Sequence, residues 1–262
     1  MLSFKQFLKE TKEVFYVNGH PMVNIDGKMH HVNTSKGVPI HNTIEGIKNF
    51  HKWFGKSKTV DEHGRPHVFY HGTSSDIDQF HLTHTGKGND QYGSGFYLTN
   101  SPEKASYYAS ASTDYHYTGD KPKSSNVIPA YVSIKKPINK DSERPLSMSH
   151  LHALITSAPN HKESLDGNWG EIDREGYHKV LKNAISAYKD MAVFHAMNSI
   201  HNDFYQGHSE QFLTNFKKIT KYDGVITDKG DIITAFSPHQ IKSSIGNKGT
   251  FNKRNPELTE SN

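Results

Sequence analysis

The sequence predicts an α+β domain in which a block of helices interrupts a set of short strands. From Val68 onward, β-branched or aromatic runs are bounded by Gly, Pro, Asn or Asp: VFYHG, GSGFYLT, VIPAYVSI, YDGVIT and DIITAF. Residues 149–219, between the third and fourth of these runs, have helical periodicity instead. The strands must therefore pair across the helical block, which favours α+β over an alternating βαβ arrangement.

Shorter elements surround this framework. Residues 1–10 carry four apolar side chains at near-helical spacing and predict a short amphipathic helix. Residues 16–42, rich in Gly, His and Asn, predict a small hairpin or an irregular arm. The apolar pattern of residues 43–55 predicts a helix that ends at its final glycine. A further helix is expected to begin with Ser101 as its N-cap and Pro102 as its first residue.

Composition excludes several classes of protein and site. With 31 basic and 27 acidic residues the net charge is +4, and no block of five or six like charges marks a nucleic-acid-binding tail. No stretch approaches the roughly 18–20 apolar residues that cross a membrane, so we expect no membrane partner. The absence of cysteine excludes disulfides, thiolate metal sites and a cysteine nucleophile. The 19 histidines are scattered without the spacing of a ligand pair, so we expect no metal site.

The first candidate site segment is His71-Gly72-Thr73, at the end of a predicted strand. A histidine there can hydrogen-bond a ligand hydroxyl, while the backbone of Gly72 can contact a planar amide because glycine permits close approach. Taken alone, the pattern fits better a strand-end histidine that binds a nearby carbonyl.

Aromatic and polar residues on later elements complete the candidate site. Tyr97 is predicted on the next strand, and Tyr107 and Tyr108 on the following helix. Two aromatic faces can enclose a flat ring, and offset stacking is worth about 0.5–1.5 kcal/mol beyond burial, although such tyrosines are more often part of a core. Gln240 lies in a polar turn that enters a short strand, and a lone glutamine there carries no functional signal.

In this order the three segments resemble the ADP-ribosyltransferases of the diphtheria-toxin and poly(ADP-ribose) polymerase type, whose signature is a histidine, a tyrosine and a glutamate on separate strands. The resemblance is closer to the ADP-ribosyltransferase domains of phage and prophage polyvalent proteins. Residues 50–73 resemble the beginning of those domains, and residues 222–226 and 235–251 resemble their end. The resemblance implies an ADP-ribosyltransferase-like fold: split, mostly antiparallel sheets that enclose a cleft for NAD, with a large helical insertion.

The resemblance also implies roles for individual residues. His71 would bind the adenine-side ribose of NAD, and Gly72, next to Thr73, would hold the nicotinamide carboxamide through its backbone. Loss of nicotinamide would leave an oxocarbenium-like ribose, much as in glycoside hydrolysis. The enzyme would therefore stabilise developing positive charge in a site that excludes water.

Two tyrosines would enclose the nicotinamide ring. One is Tyr97, and the eleven-residue spacing of the polymerase pattern selects Tyr108 as the other; Tyr107, one position away, is left open. His71, Tyr97 and Gln240 would thus form the catalytic set.

Gln240 departs from the family pattern, because it stands where the resemblance expects glutamate. A glutamine amide can hold a ribose hydroxyl, but it brings no negative charge and cannot act as a general base. We therefore expect transfer of a single ADP-ribose rather than polymer elongation, with Asp228 and Asp231 as alternative carboxylates. A non-catalytic module that binds NAD or another nucleotide is the competing hypothesis.

The function implied by the resemblance is that of an NAD-dependent mono-ADP-ribosyltransferase, a phage effector that modifies a host macromolecule. A protein acceptor is favoured over nucleic acid, because the small net charge does little for phosphate binding. The same fold acting on nucleic acid or on a small molecule is the alternative.

The N-terminus carries a further resemblance. Leu8-Lys9-Glu10 resembles the site cut by the prohead protease of large tailed phages. Residues 1–10 are then expected to be a head-targeting propeptide that begins a virion protein, with Thr11 as the mature start; the alternative is an ordinary N-terminal helix. The expected location is the host bacterial cytoplasm, reached from the capsid with the injected DNA.

The predicted organisation therefore has four parts: residues 1–10, an N-terminal arm and helix at 11–49, a transferase domain at 50–252 that contains the insertion 149–219, and a flexible tail at 253–262. Oligomeric state and the acceptor residue cannot be predicted from the sequence.

Overall fold

The computed structural model describes residues 13–84, 94–110, 126–140, 142, 144–227 and 230–260. The chain forms two compact units. The first contains Met1–Phe80, Leu98–Lys135 and Pro238–Asn262, and the second contains His81–Tyr97 and Lys136–Ser237. Helices, one mixed sheet and one separate antiparallel sheet build the protein, so the predicted α+β class is confirmed. The helix predicted for residues 1–10 lies outside the described residues.

A three-stranded antiparallel sheet opens the first unit. Its strands are β1 (Val14–Val17), β2 (His20–Ile25) and β3 (Lys28–His31), in the order β1-β2-β3. Asn18-Gly19 and Asp26-Gly27 connect them, and all four residues have positive φ, as type I′ hairpin turns require. The hairpin predicted within 16–42 is therefore present, extended by a third strand.

The helix predicted over 43–55 is confirmed as α1 (Ile44–Phe54). The Thr43 hydroxyl accepts a hydrogen bond from the Gly46 N–H at 3.0 Å, which caps the first turn. Gly55 ends the helix at φ 58° and donates its N–H to the His51 carbonyl. The buried face of α1 packs with β2 and with the ring of Phe251 in one hydrophobic core.

The rest of the first unit is a sheet that carries one helix. Its strands are β4 (Phe69–Thr73), β6 (Asn126–Val132), β10 (Ile241–Ser243) and the end of β5 (Phe96–Thr99), in the order β10-β6-β4-β5. Helix α2 (Pro102–Ser110) packs on β4. Ser101 caps it as predicted, because its hydroxyl accepts from the Lys104 N–H at 3.2 Å.

The second unit contains the first two residues of β5, Phe96 and Tyr97. Its strands form a mixed sheet in the order β5-β9-β8-β7. Its other strands are β7 (Pro137–Asn139), β8 (Gly224–Ile226) and β9 (Ile232–Ala235). β8 and β9 are antiparallel, whereas β7 and β8 are parallel. The late strands therefore pair across the helical block, as predicted.

The helical block has its own core. Its helices are α3 (Met148–Thr156), α4 (His161–Leu165), α5 (Ile172–Glu175), α6 (Tyr177–Tyr188), α7 (Val193–Phe204) and α8 (Ser209–Thr220). Leu154, Met197, Phe212 and Phe216 are fully buried there. Within the described ranges, no helix has the length and apolar character to span a membrane.

The prediction of a flexible tail is wrong for residues 253–260. Leu258 is 3% exposed, and Glu260 forms a buried ion pair with Lys242 of β10. The end of this segment therefore packs against the sheet, because the Glu260 carboxylate and the carbonyls of Asn255 and Glu257 pair with the buried Lys242. Residues 261–262 lie outside the described residues.

His51 is a buried titratable group at the inner side of α1. Its Nε2 donates to the His31 carbonyl at 2.7 Å, and its ring lies 4.6 Å from that of His30. Burial, partly offset by that hydrogen bond, lowers the pKa of His51 from 6.5 to about 4.

We predict that this histidine makes the fold sensitive to acid. The unfolded chain takes up a proton near pH 6.5 that folded His51 refuses until about pH 4. The unfolding free energy should therefore fall with decreasing pH, by about 2 kcal/mol at pH 5 relative to pH 7 from this residue alone. Chemical denaturation of His51→Gln should show a shallower dependence across this range. The surface variant His152→Gln should keep the wild-type slope; an unchanged slope in His51→Gln would contradict the assignment.

Candidate functional site

Strand β4 carries His71, Gly72 and Thr73. It pairs with β6 along its whole length, from Phe69 opposite Ala130 to Thr73 opposite Asn126. Its described pairing with β5 is between Tyr70 and Thr99. From His71 to Thr73 the described ladder therefore lies on the β6 side.

Helix α2 approaches β4 at Gly72 so closely that a side chain does not fit. A Cβ on Gly72 would lie 1.9 Å from the Ala105 carbonyl oxygen and 2.9 Å from the Ala109 nitrogen. Ala105 and Ala109 are fully buried, one turn apart on the face of α2 that meets the strand. Small residues on both elements thus bring the helix backbone onto the strand backbone.

His71 points away from this helix. Successive side chains of a strand alternate between faces, so His71 lies on the face opposite that covered by α2. There its ring packs edge-on against Phe80, with ring centroids 4.8 Å apart. Phe80 is buried, and the sequence alone did not mark it as part of the site.

The tyrosines occupy different surroundings. Tyr107 and Tyr108 are exposed on α2, at 68% and 53%, and their rings meet edge to face at 6.0 Å. Their exposure leaves both accessible to a ligand and does not choose between them. Tyr97 is half-buried on β5, in the second unit.

Gln240 does not join His71 and Gly72. Its Nε2 donates to the Ser133 carbonyl at 2.8 Å, and the Ser133 N–H donates to the Gln240 carbonyl, also at 2.8 Å. Gly72 pairs with Val127, six residues before Ser133, which corresponds to about 20 Å along an extended strand. A nicotinamide with its ribose is too short to contact both Gly72 and Gln240.

Gln240 therefore anchors β10 to the end of β6. It is 7% exposed, and its amide donates to the backbone carbonyl of Ser133, which is itself buried. The order of motifs along the sequence is compatible with a shared site, but strand register, which the sequence does not encode locally, separates these residues.

Two further observations concern metal binding and a cavity. In the part of the chain that the structure describes, no three His, Asp or Glu side chains are grouped to hold a metal ion. A cavity of about 270 Å³ lies between residues 39–42 and the segment after β10, lined by His41, Ser243, Asn247 and Phe251 among others. None of the predicted site residues lines it.

Residues 61–251 match the model of the family described as ADP-Ribosyltransferase in polyvalent proteins. This range is nearly three quarters of the chain and includes His71, Tyr97, Tyr108 and Gln240. The chain belongs to this family. The family assigns it to the ADP-ribosyltransferases as an enzyme class. No curated protein and no solved structure gave a significant match.

We predict that Gly72→Ala destabilises this polyvalent-type transferase domain. The added methyl group would collide with the backbone of α2, so helix or strand must shift, at a cost of about 1–3 kcal/mol. Thermal and chemical denaturation should show the loss. Ser106→Ala, on the exposed side of α2, is the matched control and should unfold like wild type. Full stability of Gly72→Ala would refute the close contact.

A second prediction concerns Gln240→Glu, which restores the residue type expected from the resemblance. The new carboxylate would face the Ser133 carbonyl instead of donating to it, which should cost about 1–3 kcal/mol at neutral pH. Burial raises the pKa of such a carboxyl, so the loss should shrink as pH falls and the group becomes a donor. Gln211→Glu, exposed on α8, should be neutral. A Gln240→Glu protein as stable as wild type at pH 7 would contradict this placement of the amide.

Proposed function

We propose that the protein is an NAD-dependent mono-ADP-ribosyltransferase that modifies a host protein. The observation that carries this proposal is the junction of β4 and α2, within the family-matched residues. There the backbone of Gly72 is seated against a helix that carries two exposed tyrosines, with His71 on the other face of the strand. A ligand that approaches the edge of this strand could stack a ring on the tyrosines of α2 on one side and form a hydrogen bond with His71 on the other.

The proposed chemistry is transfer at the ribose carbon that bears nicotinamide. The bond from this carbon to the nicotinamide nitrogen breaks, and its electron pair leaves with nicotinamide. An acceptor nucleophile attacks the same carbon and loses its proton to solvent. The Gly72 backbone would hold the carboxamide, and Tyr97 with Tyr108 would stack on the ring. His71 would bind the adenine-side ribose. The contacts of Gly72, Tyr97 and Tyr108 with the nicotinamide would fix the reacting carbon and exclude water, which supports transfer over hydrolysis.

In the proposed reaction Gln240 has no chemical role, since its amide is bound to Ser133. A carboxylate that stabilises the positive ribose must then come from elsewhere. Asp231, the residue before β9, is the described alternative, and Asp228 lies outside the described residues. Without the glutamate of the polymerase pattern, transfer of a single ADP-ribose is favoured over chain elongation.

One observation favours a second function, a module that binds NAD or another nucleotide without reacting. Gln240 replaces the acidic residue of the family pattern, and its side-chain amide is hydrogen-bonded to the Ser133 carbonyl. If no other carboxylate acts, the site binds NAD and stops there. Release of nicotinamide separates the two functions.

We predict that wild-type protein incubated with adenylate-labelled NAD and host lysate releases nicotinamide and labels protein rather than nucleic acid. Tyr97→Ala should abolish the label. Tyr108→Ala should reduce the label much more than Tyr107→Ala, since Tyr108 is the helical tyrosine proposed to stack on the nicotinamide ring. Asp231→Asn should lower turnover, whereas Gln240→Ala should affect stability more than turnover of the folded fraction. NAD binding with no release from any protein would select the module; label on nucleic acid would change the acceptor.

The proposed setting is a phage virion from which the protein enters the host cytoplasm. The support is the Leu8-Lys9-Glu10 sequence, which resembles a prohead-protease site and precedes the residues that match this family. Mass spectrometry of the protein from virions should find Thr11 as its first residue. Protein that begins at Met1 or Leu2 would exclude processing at Glu10.

A further inference from the structure

Residues 255–260, the C-terminal strap, lie beyond the end of the family match at residue 251 and connect two parts of the first unit. The connection runs through Leu258. Its N–H donates to the Asp78 carbonyl at 2.8 Å, and its carbonyl accepts from the Ser243 N–H at 2.9 Å. Gln79 and Glu257 form an isolated antiparallel bridge at the same place. The strap thus joins β10 to residues 78–79.

A buried charge holds the strap on β10. Lys242 is fully buried, and its Nζ donates to the carbonyls of Asn255 at 2.6 Å and Glu257 at 3.0 Å. It also forms the ion pair with Glu260, whose carboxylate accepts from the Asn252 N–H at 2.7 Å. Every donor and acceptor of this clamp comes from β10 or from the last residues of the chain, so these interactions fix the path of the strap.

The other end of the strap lies next to His71. Phe80 follows the bridged residues Asp78 and Gln79 directly, is 5% exposed, and packs edge-on against the His71 ring. The edge contact with Phe80 constrains one side of the His71 ring, so a displacement of Phe80 would remove that constraint on the orientation of the ring. The strap ties down the segment that carries this aromatic.

We propose that the C-terminal strap, clamped by Lys242 and Glu260, is a positioning element that orients His71 for NAD through Asp78–Phe80. This inference rests on the proposed function, since it assigns the strap an effect on NAD binding. Because His71 would contact the ribose remote from the breaking bond, loosening the strap should weaken binding of NAD without slowing the bond cleavage of bound NAD.

The test compares Glu260→Gln with wild type in the full chain, by steady-state nicotinamide release. The Michaelis constant for NAD should rise about tenfold while kcat stays within about twofold, at a temperature where both proteins are folded. The control Glu13→Gln removes one partner of the half-exposed pair between Glu13 and Lys48 and should leave both constants unchanged. A lower melting temperature with an unchanged Michaelis constant would overturn the proposal.

A double-mutant cycle tests the route through His71. In the His71→Asn background, Glu260→Gln should change the affinity for NAD by less than about twofold, because the contact it acts through is already lost. Independent, additive losses would show that the strap acts elsewhere. Should Glu260→Gln fail to fold, Leu258→Ala, which loosens the strap but leaves its charges paired, replaces it in the same cycle.

Amide hydrogen exchange separates failure of this inference from failure of the proposed function. Wild type that neither binds NAD nor releases nicotinamide would reject the function, and the strap would then be judged on exchange alone. Faster exchange in Glu260→Gln at residues 70–80, with α8 unchanged, supports mechanical coupling to the His71 segment. Faster exchange confined to residues 250–260 refutes it.

Discussion

The backbone contact between Gly72 and α2 is the constraint on which the candidate site depends. Because α2 lies directly on one face of β4 at Gly72, a ligand ring cannot fit between the helix and the strand there. Access is left to the strand edge and to the opposite face, where His71 meets Phe80. The same contact fixes α2 so that its tyrosines project into solvent. One glycine and two alanines thereby decide where a ligand can approach β4.

Strand register is the second constraint, and it changes the role of Gln240. Gln240 follows the family pattern in sequence order, but it lies beside the end of β6, away from Gly72. Its amide donates to the Ser133 carbonyl. In a sheet, each step along a strand moves a side chain by about 3.3 Å, so a few residues of offset remove it from a small-molecule site. The missing glutamate and the buried glutamine are therefore two separate facts about this chain. The first bears on chemistry, and the second bears on how β10 is held.

Much of the fold could be predicted from the sequence because its signals are local. Thr43 and Gly55 bound α1, and Ser101 with Pro102 starts α2, since caps act through hydrogen bonds to neighbouring residues. The strands and the helical block were also visible in turn residues and periodicity. The separation of Gln240 from Gly72 was not, because pairing register arises from contacts distant in sequence.

The C-terminal segment shows the same limit. Its polar composition is typical of a loose tail, yet Glu260 is buried against Lys242. A lysine in a short polar strand looks like a surface residue until the segment that covers it is known. The role of Phe80 could not be predicted for a similar reason, since it depends on the contact of its ring with His71 in the folded protein.

The decisive experiment is a crystal structure of the protein with an unreactive NAD analogue. We expect the carboxamide at the backbone of Gly72, the adenine-side ribose at His71, and Gln240 still bound to Ser133. An analogue bound beside Gln240, or in the cavity around His41 and Phe251, would contradict it.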